Sequence, residues 1–304
     1  MIYILWSGGW DSTYLLCKRA REVDDIIQPV YEVFPRPNTT NERKQRLEIL
    51  SMLREKADIK ATIRDPIEIA EDALPPSEEY NAAYDALKDS ISHMYRSIGK
   101  MALLFPGAEI GIEAPAPGTR DIGRIEKMMI NGGLEIDDEG NVTPNVGDKN
   151  ILLIYGGFKY PLLHINAAQM LDEVKEWGYE DIFRKTRSCV SSLGRQCGVC
   201  NNCEVKWKYG DTFSFLFDDR AKKDHKIKTF LQTVDSEKGT NYAELFTQYI
   251  MNGDWVSVNG DASALAKDSS DYQKAQQQSG TIMQYFSLLE NNWPDAKNIN
   301  APII

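Results

Sequence analysis

The sequence lacks any apolar run that approaches the roughly 20 residues needed to span a membrane as a helix. Nevertheless, 42% of its 304 residues are hydrophobic, which is enough for a large core. The length exceeds that of one typical domain, so we expect an α/β core with an appended second part. The chain also begins without the pattern of a secretory signal peptide, so we expect a cytoplasmic protein whose thiols stay reduced.

Basic residues are outnumbered, because 35 Lys and Arg face 45 Asp and Glu, giving a formal net charge of −10. This balance argues against a broad nucleic-acid-binding surface, although it leaves room for a local basic patch. Such a patch could meet phosphates or an acidic substrate, or be a solvated charged rim. Its members are Arg184, Lys185, Arg187 and Arg195. No Ser-His-Asp order, paired-carboxylate pattern or internal repeat stands out in the chain.

Cysteine is scarce, with five residues, and four of them follow a C-x7-C-x2-C-x2-C spacing. These four are Cys189, Cys197, Cys200 and Cys203. Gly198 would let the backbone turn so that several thiolates reach one ion. Four thiolates without a competing carboxylate favour a closed, structural zinc site, with an iron–sulfur cluster as the main alternative and disulfides as the plainer one. We expect Cys17 to lie in the core, on the apolar side of the first helix.

The N-terminus combines an apolar run with a glycine-rich turn and a helix start. Ile2–Trp6 predicts a buried first strand, and residues 11–13 are good helix-opening residues. Gly8 and Gly9 between them allow backbone N–H groups to point at an anion, and the helix adds the positive end of its dipole. The turn therefore predicts a phosphate site, with an ordinary strand-to-helix turn as the alternative. It is not of the Walker type, because no Gly-Lys-Ser/Thr follows.

The pattern Ser-Gly-Gly-x-Asp-Ser after a strand resembles the PP-loop of the ATP pyrophosphatases, which split ATP into AMP and pyrophosphate and adenylate a substrate oxygen. Together with the cysteine spacing near residue 200, it resembles the 7-cyano-7-deazaguanine synthase family. That family converts 7-carboxy-7-deazaguanine into its nitrile with ATP and ammonia. The resemblance covers about residues 2–218 and includes a Pro-Leu strand end at Pro161, a helix-capping Asn166 and the basic segment 183–189.

The chain departs from the family pattern at two places. After the capping asparagine the family carries Lys-Ala-Glu, whereas this chain has Ala167, Ala168 and Gln169. The family's Gly-Tyr-Pro-Asp-Cys-Arg segment at the substrate pocket has its nearest match in residues 118–124, which keep a Gly, an Asp and a displaced Arg. These departures affect the expected substrate more than the expected use of ATP.

The resemblance implies a nucleotide site on the first loop. The β- and γ-phosphates would be held by Ser7, Gly8, Gly9, Asp11, Ser12 and Thr13. Asp11 and Ser12 would take part in catalysis, and Asp11 would help to hold Mg²⁺. The adenosine would lie near Val33 and Phe34, and Arg96 would contact the nucleotide or the substrate.

The resemblance also implies a substrate site and its partners. Asp121 would read a purine-like edge, and Arg120 or Arg124 would bind the acid. The cofactors would be a structural Zn²⁺ and ATP with Mg²⁺, and the partners a deazapurine acid and ammonia. The alternatives are another PP-loop ligase or thiolase for a nucleobase or tRNA, a relative from defence or DNA modification, and a degenerate nucleotide-binding partner protein. Ala167, Gln169 and the C-terminal extension favour the last of these.

Strands and helices alternate along the chain, which predicts an α/β fold with a parallel sheet covered by helices on both faces. The family resemblance implies that this fold is of the PP-loop and HUP type. The predicted strands are Ile2–Trp6, Ile26–Phe34 with Pro29 breaking or edging it, Lys60–Ile63, Glu109–Ala114 and Asn150–Tyr155. The predicted helices are Thr39 or Asn41 to Lys56, Glu78–Leu104, Asn166–Trp177, His225–Val234 and Tyr242–Ile250, with a hairpin or lid within 130–149. We predict a first domain over 1–218 and a mainly helical, polar extension over 219–304. The extension would cap the core or mediate self-association, which leaves a homodimer open.

Overall fold

The computed structural model describes residues 1–33, 39–114, 134–144, 147–187, 189, 191, 195–252, 270–293 and 295–299. The chain divides into two compact units, Met1–Arg187 and Ser188–Ile304. This division groups the cysteine segment with the C-terminal helices. The domain boundary predicted after residue 218 instead groups that segment with the N-terminal part.

The first unit is built on a parallel sheet. Its described strands are β1 (Ile2–Leu5), β2 (Ile26–Val33), β3 (Thr62–Ile63), β4 (Ile67–Ala70), β5 (Ala108–Ile110) and β8 (Phe158–Lys159). They lie in the order β3-β2-β1-β5-β8, and β4 also pairs with β2. The central strand β1 is flanked on both sides, since Ile4 is paired with Pro29 of β2 and with Glu109 of β5. The buried positions of β1 and β2 follow from this placement, because both neighbours and the flanking helices exclude water from them.

Helices flank this sheet, so the α/β class with a mostly parallel sheet is confirmed. The helices of the first unit are α1 (Trp10–Glu22), α2 (Thr39–Arg54), α3 (Glu78–Leu87), α4 (Tyr95–Leu104), α5 (Lys149–Tyr155), α6 (Ala167–Glu176) and α7 (Glu180–Phe183). The single helix predicted over 78–104 is two helices. A short antiparallel hairpin of β6 (Leu134–Ile136) and β7 (Val142–Pro144) lies within the predicted 130–149 segment.

Pro29 does not break β2, which runs without interruption from Ile26 to Val33. On the side away from β1, β2 pairs with β3 through Ile26 and Ile27 and with β4 from Val30 onward. Pro29 falls between these two registers, so the missing N–H of proline removes no bond from either ladder. Pro29 therefore lies opposite the gap between β3 and β4, and β2 itself stays continuous.

The strand predicted over Asn150–Tyr155 is wrong, because this segment forms helix α5. The carboxylate of Asp148 accepts a hydrogen bond from the backbone N–H of Asn150 at 2.8 Å and caps the helix. Ile151, Ile154 and Tyr155 then lie on one buried face. A short apolar run reads equally as a buried strand or a buried helix, and here the cap at Asp148 decides.

The second unit is helical in its described part. It contains α8 (Asn201–Trp207), α9 (Asp219–Lys238), α10 (Tyr242–Asn252) and α11 (Ser270–Asn292). The two helices predicted from residue 225 onward are present and longer than predicted. Phe246 of α10 packs edge-on against Phe286 of α11, with ring centroids 5.2 Å apart. Across the described residues of both units, no helix has the length and apolar character required to cross a membrane.

Candidate functional site

The loop between β1 and α1 lies where the order of strands in the sheet reverses. From β1 the chain first adds β2, β3 and β4 on one side, and later adds β5 and β8 on the other. In open parallel sheets, ligands bind outside the carboxyl ends of the strands at such a switch point. The predicted phosphate turn occupies this position.

Gly8 and the two serines shape this loop. Gly8 has φ +80°, a left-handed conformation that glycine adopts without the clash that a Cβ would cause. Gly9 is the residue before α1, and its N–H donates to Ser7 Oγ at 3.2 Å. Ser7 Oγ and Ser12 Oγ lie 3.0 Å apart, so the two hydroxyls are held together beside the first turn of the helix. The structure thus brings together four of the predicted phosphate-binding residues.

Thr13 and Asp11 take different positions in the first turn of α1. Thr13 is fully buried, and its hydroxyl accepts a hydrogen bond from Trp6 Nε1 at 3.1 Å. This hydrogen bond therefore joins α1 to the residue that directly follows β1. Asp11 lies in the first turn of α1, where a carboxylate is favoured by the helix dipole. Its predicted role with Mg²⁺ stays a prediction.

Two residues outside the motif contact Gly8. A Cβ on Gly8 would lie 2.9 Å from Cγ of Arg46, so the stem of this α2 arginine packs directly on the turn. The backbone N–H of Arg187 donates to the carbonyl of Gly8 at 3.1 Å. Arg46 carries no local sequence signal and was missed, whereas Arg187 belongs to the predicted basic cluster. Lys185 of that cluster pairs with Glu48 at 2.6 Å, as expected for a charged rim.

Gly111 brings the end of β5 to the same loop. A Cβ on Gly111 would lie 2.9 Å from the backbone nitrogen of Ser12 and 2.9 Å from the carbonyl carbon of Asp11. Only a residue without a side chain fits this close approach of β5 to the start of α1. The segment after β5 therefore starts beside the loop.

The remaining predicted ligand contacts are only partly described. Val33 ends β2 and is partly buried. Arg96 lies exposed on α4, and within the described residues no hydrogen bond or ion pair joins its side chain to the loop. Phe34, Arg120, Asp121 and Arg124 lie outside the described residues. Their predicted roles stay predictions.

Helix α6 has a complete N-terminal cap, formed by Asn166 and Gln169. The side chain of Asn166 accepts from the N–H groups of Ala168 at 2.9 Å and Gln169 at 3.1 Å. Gln169 Oε1 in turn accepts from the N–H of Asn166 at 2.9 Å, which completes a capping box. A glutamine performs this reciprocal role as a glutamate would. Gln169 therefore completes the start of the helix without a carboxylate at this position.

The four clustered cysteines form a candidate metal centre in the second unit. Cys189, Cys197, Cys200 and Cys203 are all buried, and their sulfurs lie within 4.8 Å of one another. The Cys200–Cys203, Cys197–Cys203 and Cys189–Cys200 sulfur pairs are 3.6, 3.9 and 3.9 Å apart. Zinc–sulfur bonds of about 2.3 Å would place tetrahedral sulfurs about 3.8 Å apart. The cluster therefore has the donor set and the spacing that one metal ion needs.

The electrostatics of the cluster also point to a cation. Hydrogen bonds from Cys197, Cys200 and Cys203 hold the pKa of Cys189 well below its usual range. Hydrogen bonding to Cys189 raises the pKa of Cys203 well above that range. The two shifts oppose each other because several thiolates this close cannot all be ionised without a positive charge between them. A bound metal ion would supply that charge.

The knuckle around Gly198 is fixed from several sides. The N–H groups of Val199 and Cys200 donate to Cys197 Sγ at 3.5 and 3.3 Å. Gly198 has φ +80°, and a Cβ there would lie 2.3 Å from the carbonyl oxygen of Ala221. Both the conformation and the space therefore require glycine, as the spacing predicts. The fifth cysteine, Cys17, is fully buried, and burial raises the pKa of its thiol well above the usual range.

No family model, curated protein or solved structure matches this chain significantly. The functional interpretation therefore depends on the loop after β1 and on the cysteine cluster.

Proposed function

We propose that the chain is a PP-loop ATP pyrophosphatase that resembles the 7-cyano-7-deazaguanine synthases and adenylates a carboxylate. One observation carries the proposal: the Ser-Gly-Gly-Trp-Asp-Ser turn follows the central strand of a parallel sheet at its switch point and opens a helix. N–H groups and hydroxyls meet there at the positive end of the α1 dipole. This arrangement suits the binding of phosphates without a Walker lysine.

The proposed chemistry is the transfer of AMP to an acid. A carboxylate oxygen attacks the α-phosphorus of ATP, the bond to the bridging oxygen breaks, and pyrophosphate leaves. Ammonia then attacks the acyl carbon, and AMP leaves to give an amide. Formation of a nitrile removes a further water and calls for a second activation by ATP. The loop would contribute by positioning the α-phosphorus and stabilising the leaving pyrophosphate. Mg²⁺ held with the help of Asp11 would neutralise part of that charge.

Product analysis tests this nucleotide chemistry. Incubation with ATP, an acceptor acid and ammonia should release AMP and pyrophosphate in equal amounts. Release of ADP and orthophosphate would overturn the proposal. A Ser12→Ala variant, which removes one hydroxyl of the serine pair, serves as the matched enzyme control and should lower the rate about 100-fold.

For the substrate we propose 7-carboxy-7-deazaguanine, with Asp121 reading the base and Arg120 or Arg124 the acid. This step relies on the family resemblance at residues 118–124 and about the cysteines. Incubation with the acid, ATP and ammonia followed by mass spectrometry should yield the nitrile or the amide. ATP turnover with a different acid or amine only would instead favour a relative from defence or DNA modification.

We further propose that the cysteine cluster holds one structural Zn²⁺. Four thiolates leave no open position for a substrate, and zinc prefers this tetrahedral set. The reduced thiols that such a site needs agree with the cytoplasmic location predicted from the sequence. Metal analysis of the purified protein should give one zinc per chain, and iron in its place would overturn the assignment.

Two observations weigh on the alternative functions. A sulfur-transferring PP-loop enzyme needs a reactive thiolate, but Cys17 is buried with a raised pKa and the other four cysteines form the cluster. The thiolase alternative is therefore disfavoured. A degenerate binding protein is favoured by Ala167 and Gln169, yet Gln169 completes the α6 cap. ATP binding without turnover of any acid would support the degenerate alternative.

A further inference from the structure

Arg46 is a buried arginine that packs against the phosphate turn. It lies on α2 and is 1% exposed. Its Cγ would be 2.9 Å from a Cβ on Gly8, so its stem runs over the turn at the residue that has no side chain. A charge in such a place costs free energy unless its donors are paired.

The guanidinium of Arg46 is only partly paired. Nη2 donates to Glu68 Oε1 at 3.3 Å, and Cζ lies 3.5 Å from the centroid of the Tyr31 ring. Nε and Nη1 are buried and have no hydrogen-bond partner among the residues that the structure describes. Buried donors of native proteins are almost always satisfied, so two open donors on one guanidinium indicate a missing acceptor.

The nearby charges favour an anion as that acceptor. Glu68 is shared, because Nε of Arg43 reaches the same Oε1 at 3.3 Å. Glu42 accepts a hydrogen bond from the Tyr31 hydroxyl at 2.9 Å. One carboxylate oxygen therefore serves two guanidinium groups. Arginine donors arranged as a fork match the oxygens of a phosphate.

We propose that Arg46 binds a phosphate oxygen of the nucleotide held on the loop through its open Nε and Nη1 donors, an assignment that rests on the proposed use of ATP. The turn and the arginine would then approach the same anion, the turn through its N–H groups and Arg46 through its guanidinium. Glu68 and the ring of Tyr31 would keep the guanidinium in place before the nucleotide arrives.

Calorimetric titration of the full chain tests this role with three probes: MgATP, magnesium pyrophosphate and adenosine. Arg46→Met keeps an apolar stem and removes the donors. We expect it to raise the Kd for MgATP and for pyrophosphate about tenfold or more and to leave that for adenosine unchanged. Arg46→Lys keeps the positive charge without the forked donors, so its Kd for MgATP should lie between that of the wild type and that of Arg46→Met. Arg43→Met is the matched control, because Arg43 shares Glu68 but its side chain is 65% exposed.

Thermal unfolding without ligand separates binding from packing. Removing a half-paired buried charge should leave the unfolding midpoint of Arg46→Met unchanged or higher, since Glu68 keeps Arg43 as its partner. A lower midpoint together with an equal loss of affinity for adenosine would make Arg46 a packing residue and overturn the proposal. Equal ATP affinity in the wild type and in Arg46→Met would also overturn it while the proposed function stands. A wild-type chain that binds no ATP would overturn the proposed function itself.

Discussion

At the scale of single residues, the loop depends on the left-handed conformation of Gly8. Alanine at residue 8 would be strained at φ +80° and would press on the Arg46 stem. We expect Gly8→Ala to lower the free energy of unfolding by about 1–2 kcal/mol and to weaken ATP binding about tenfold. Gly178→Ala is the matched control, since Gly178 has φ +68° but nothing lies within 4 Å of its Cβ position. It should show the loss of stability, measured by urea unfolding, without the loss of binding.

If Gly178→Ala weakened ATP binding as much as Gly8→Ala, the effect would come from general destabilisation, and the loop would lose its assigned role. The comparison is informative because both substitutions lie in the first unit and impose a similar backbone strain.

The cysteine cluster provides a second prediction at this scale. Cys200→Ala removes one of four ligands, so bound metal should fall well below one per chain, measured by plasma mass spectrometry. The melting temperature of the second unit should fall with it, because metal binding at such sites is coupled to folding. Cys17→Ala should keep the full metal content and lose only about 1 kcal/mol of packing. Unchanged metal content in Cys200→Ala would contradict a four-cysteine site.

The sequence identified the motif residues of both candidate sites, but it did not identify the residues from other elements that pack against them. The glycine turn and the cysteine spacing are local patterns in which each residue type follows from local chemistry. Arg46 became visible only through the packing of α2 on the turn, because a single arginine in a polar helix carries no periodic or motif signal. Gly111 was missed for the same reason, since the need for glycine there arises from a close approach across the fold.

At the scale of elements, the α6 cap explains how Gln169 serves the helix start. Asn166→Ala removes the side chain that accepts from Ala168 and Gln169, and we expect a loss of about 1 kcal/mol in urea unfolding. Gln169→Glu keeps the reciprocal bond and adds a charge that the helix dipole favours, so stability should stay equal or rise slightly. A large gain in ATP turnover with Gln169→Glu would show that a carboxylate at residue 169 acts in the chemistry as well as in the cap.

A buried ion cluster stabilises the C-terminal helices. Asp224 of α9 is fully buried and pairs with Arg220 at 2.9 Å and with Arg195 at 3.3 Å. Arg220 also pairs with Glu290 of α11. Asp224→Ala removes the carboxyl group together with its hydrogen bonds and the space that it fills beside the two guanidinium groups, and because both groups are partly exposed we expect the free energy of unfolding to fall by about 2–3 kcal/mol. Asp219→Ala, at an exposed position of the same helix, should cost less than about 0.5 kcal/mol in the same assay.

The ion cluster also has a defined pH response. Burial raises the pKa of Asp224 and of Glu290. The folded unit therefore takes up protons on these two groups at a higher pH than the unfolded chain does. Their contribution to stability rises as the pH falls through the raised pKa values and declines as the pH rises through them. If the second unit unfolds first at low pH, the protonation of groups other than Asp224 and Glu290 must cause it.

Predictions of elements were right where several local signals agreed. The strand β1 and the start of helix α1 were placed to within one residue, because an apolar run, glycines and helix-opening residues agree there. The segment 150–155 was assigned to a strand because a six-residue apolar run has no decisive period, and the cap at Asp148 was overlooked. The strand predicted over Lys60–Ile63 is present as the two-residue β3, whereas the four-residue β4 was missed because it is too short for its period to register, and its pairing with β2 determines it.

At the scale of the whole chain, the C-terminal extension and the cysteine segment depend on each other. Lys228 Nζ of α9 donates to the carbonyl of Val199 at 2.7 Å and pairs with Glu204 at 2.6 Å. The Ala221 carbonyl packs against Gly198, and Arg195 pairs with Asp224. The sequence suggests that the extension could be removed after residue 218 without affecting the cysteines. These contacts argue against that expectation, because truncation after residue 218 would remove the α9 residues that pack against the knuckle.

Truncation after residue 218 should therefore abolish tight metal binding, although all four cysteines remain in the chain. Truncation after residue 252 is the matched control, because it keeps α9 with its contacts to the knuckle and removes α11 with the Phe246–Phe286 and Arg220–Glu290 contacts. We expect the longer fragment to retain one metal per chain, with a lower melting temperature and exposed apolar surface on α10. Metal content and mass in solution, measured on both fragments beside the full chain, check this. Full metal content in the shorter fragment would show that the knuckle folds without the extension, and a change of oligomeric state confined to the longer fragment would assign α11 to covering an apolar face.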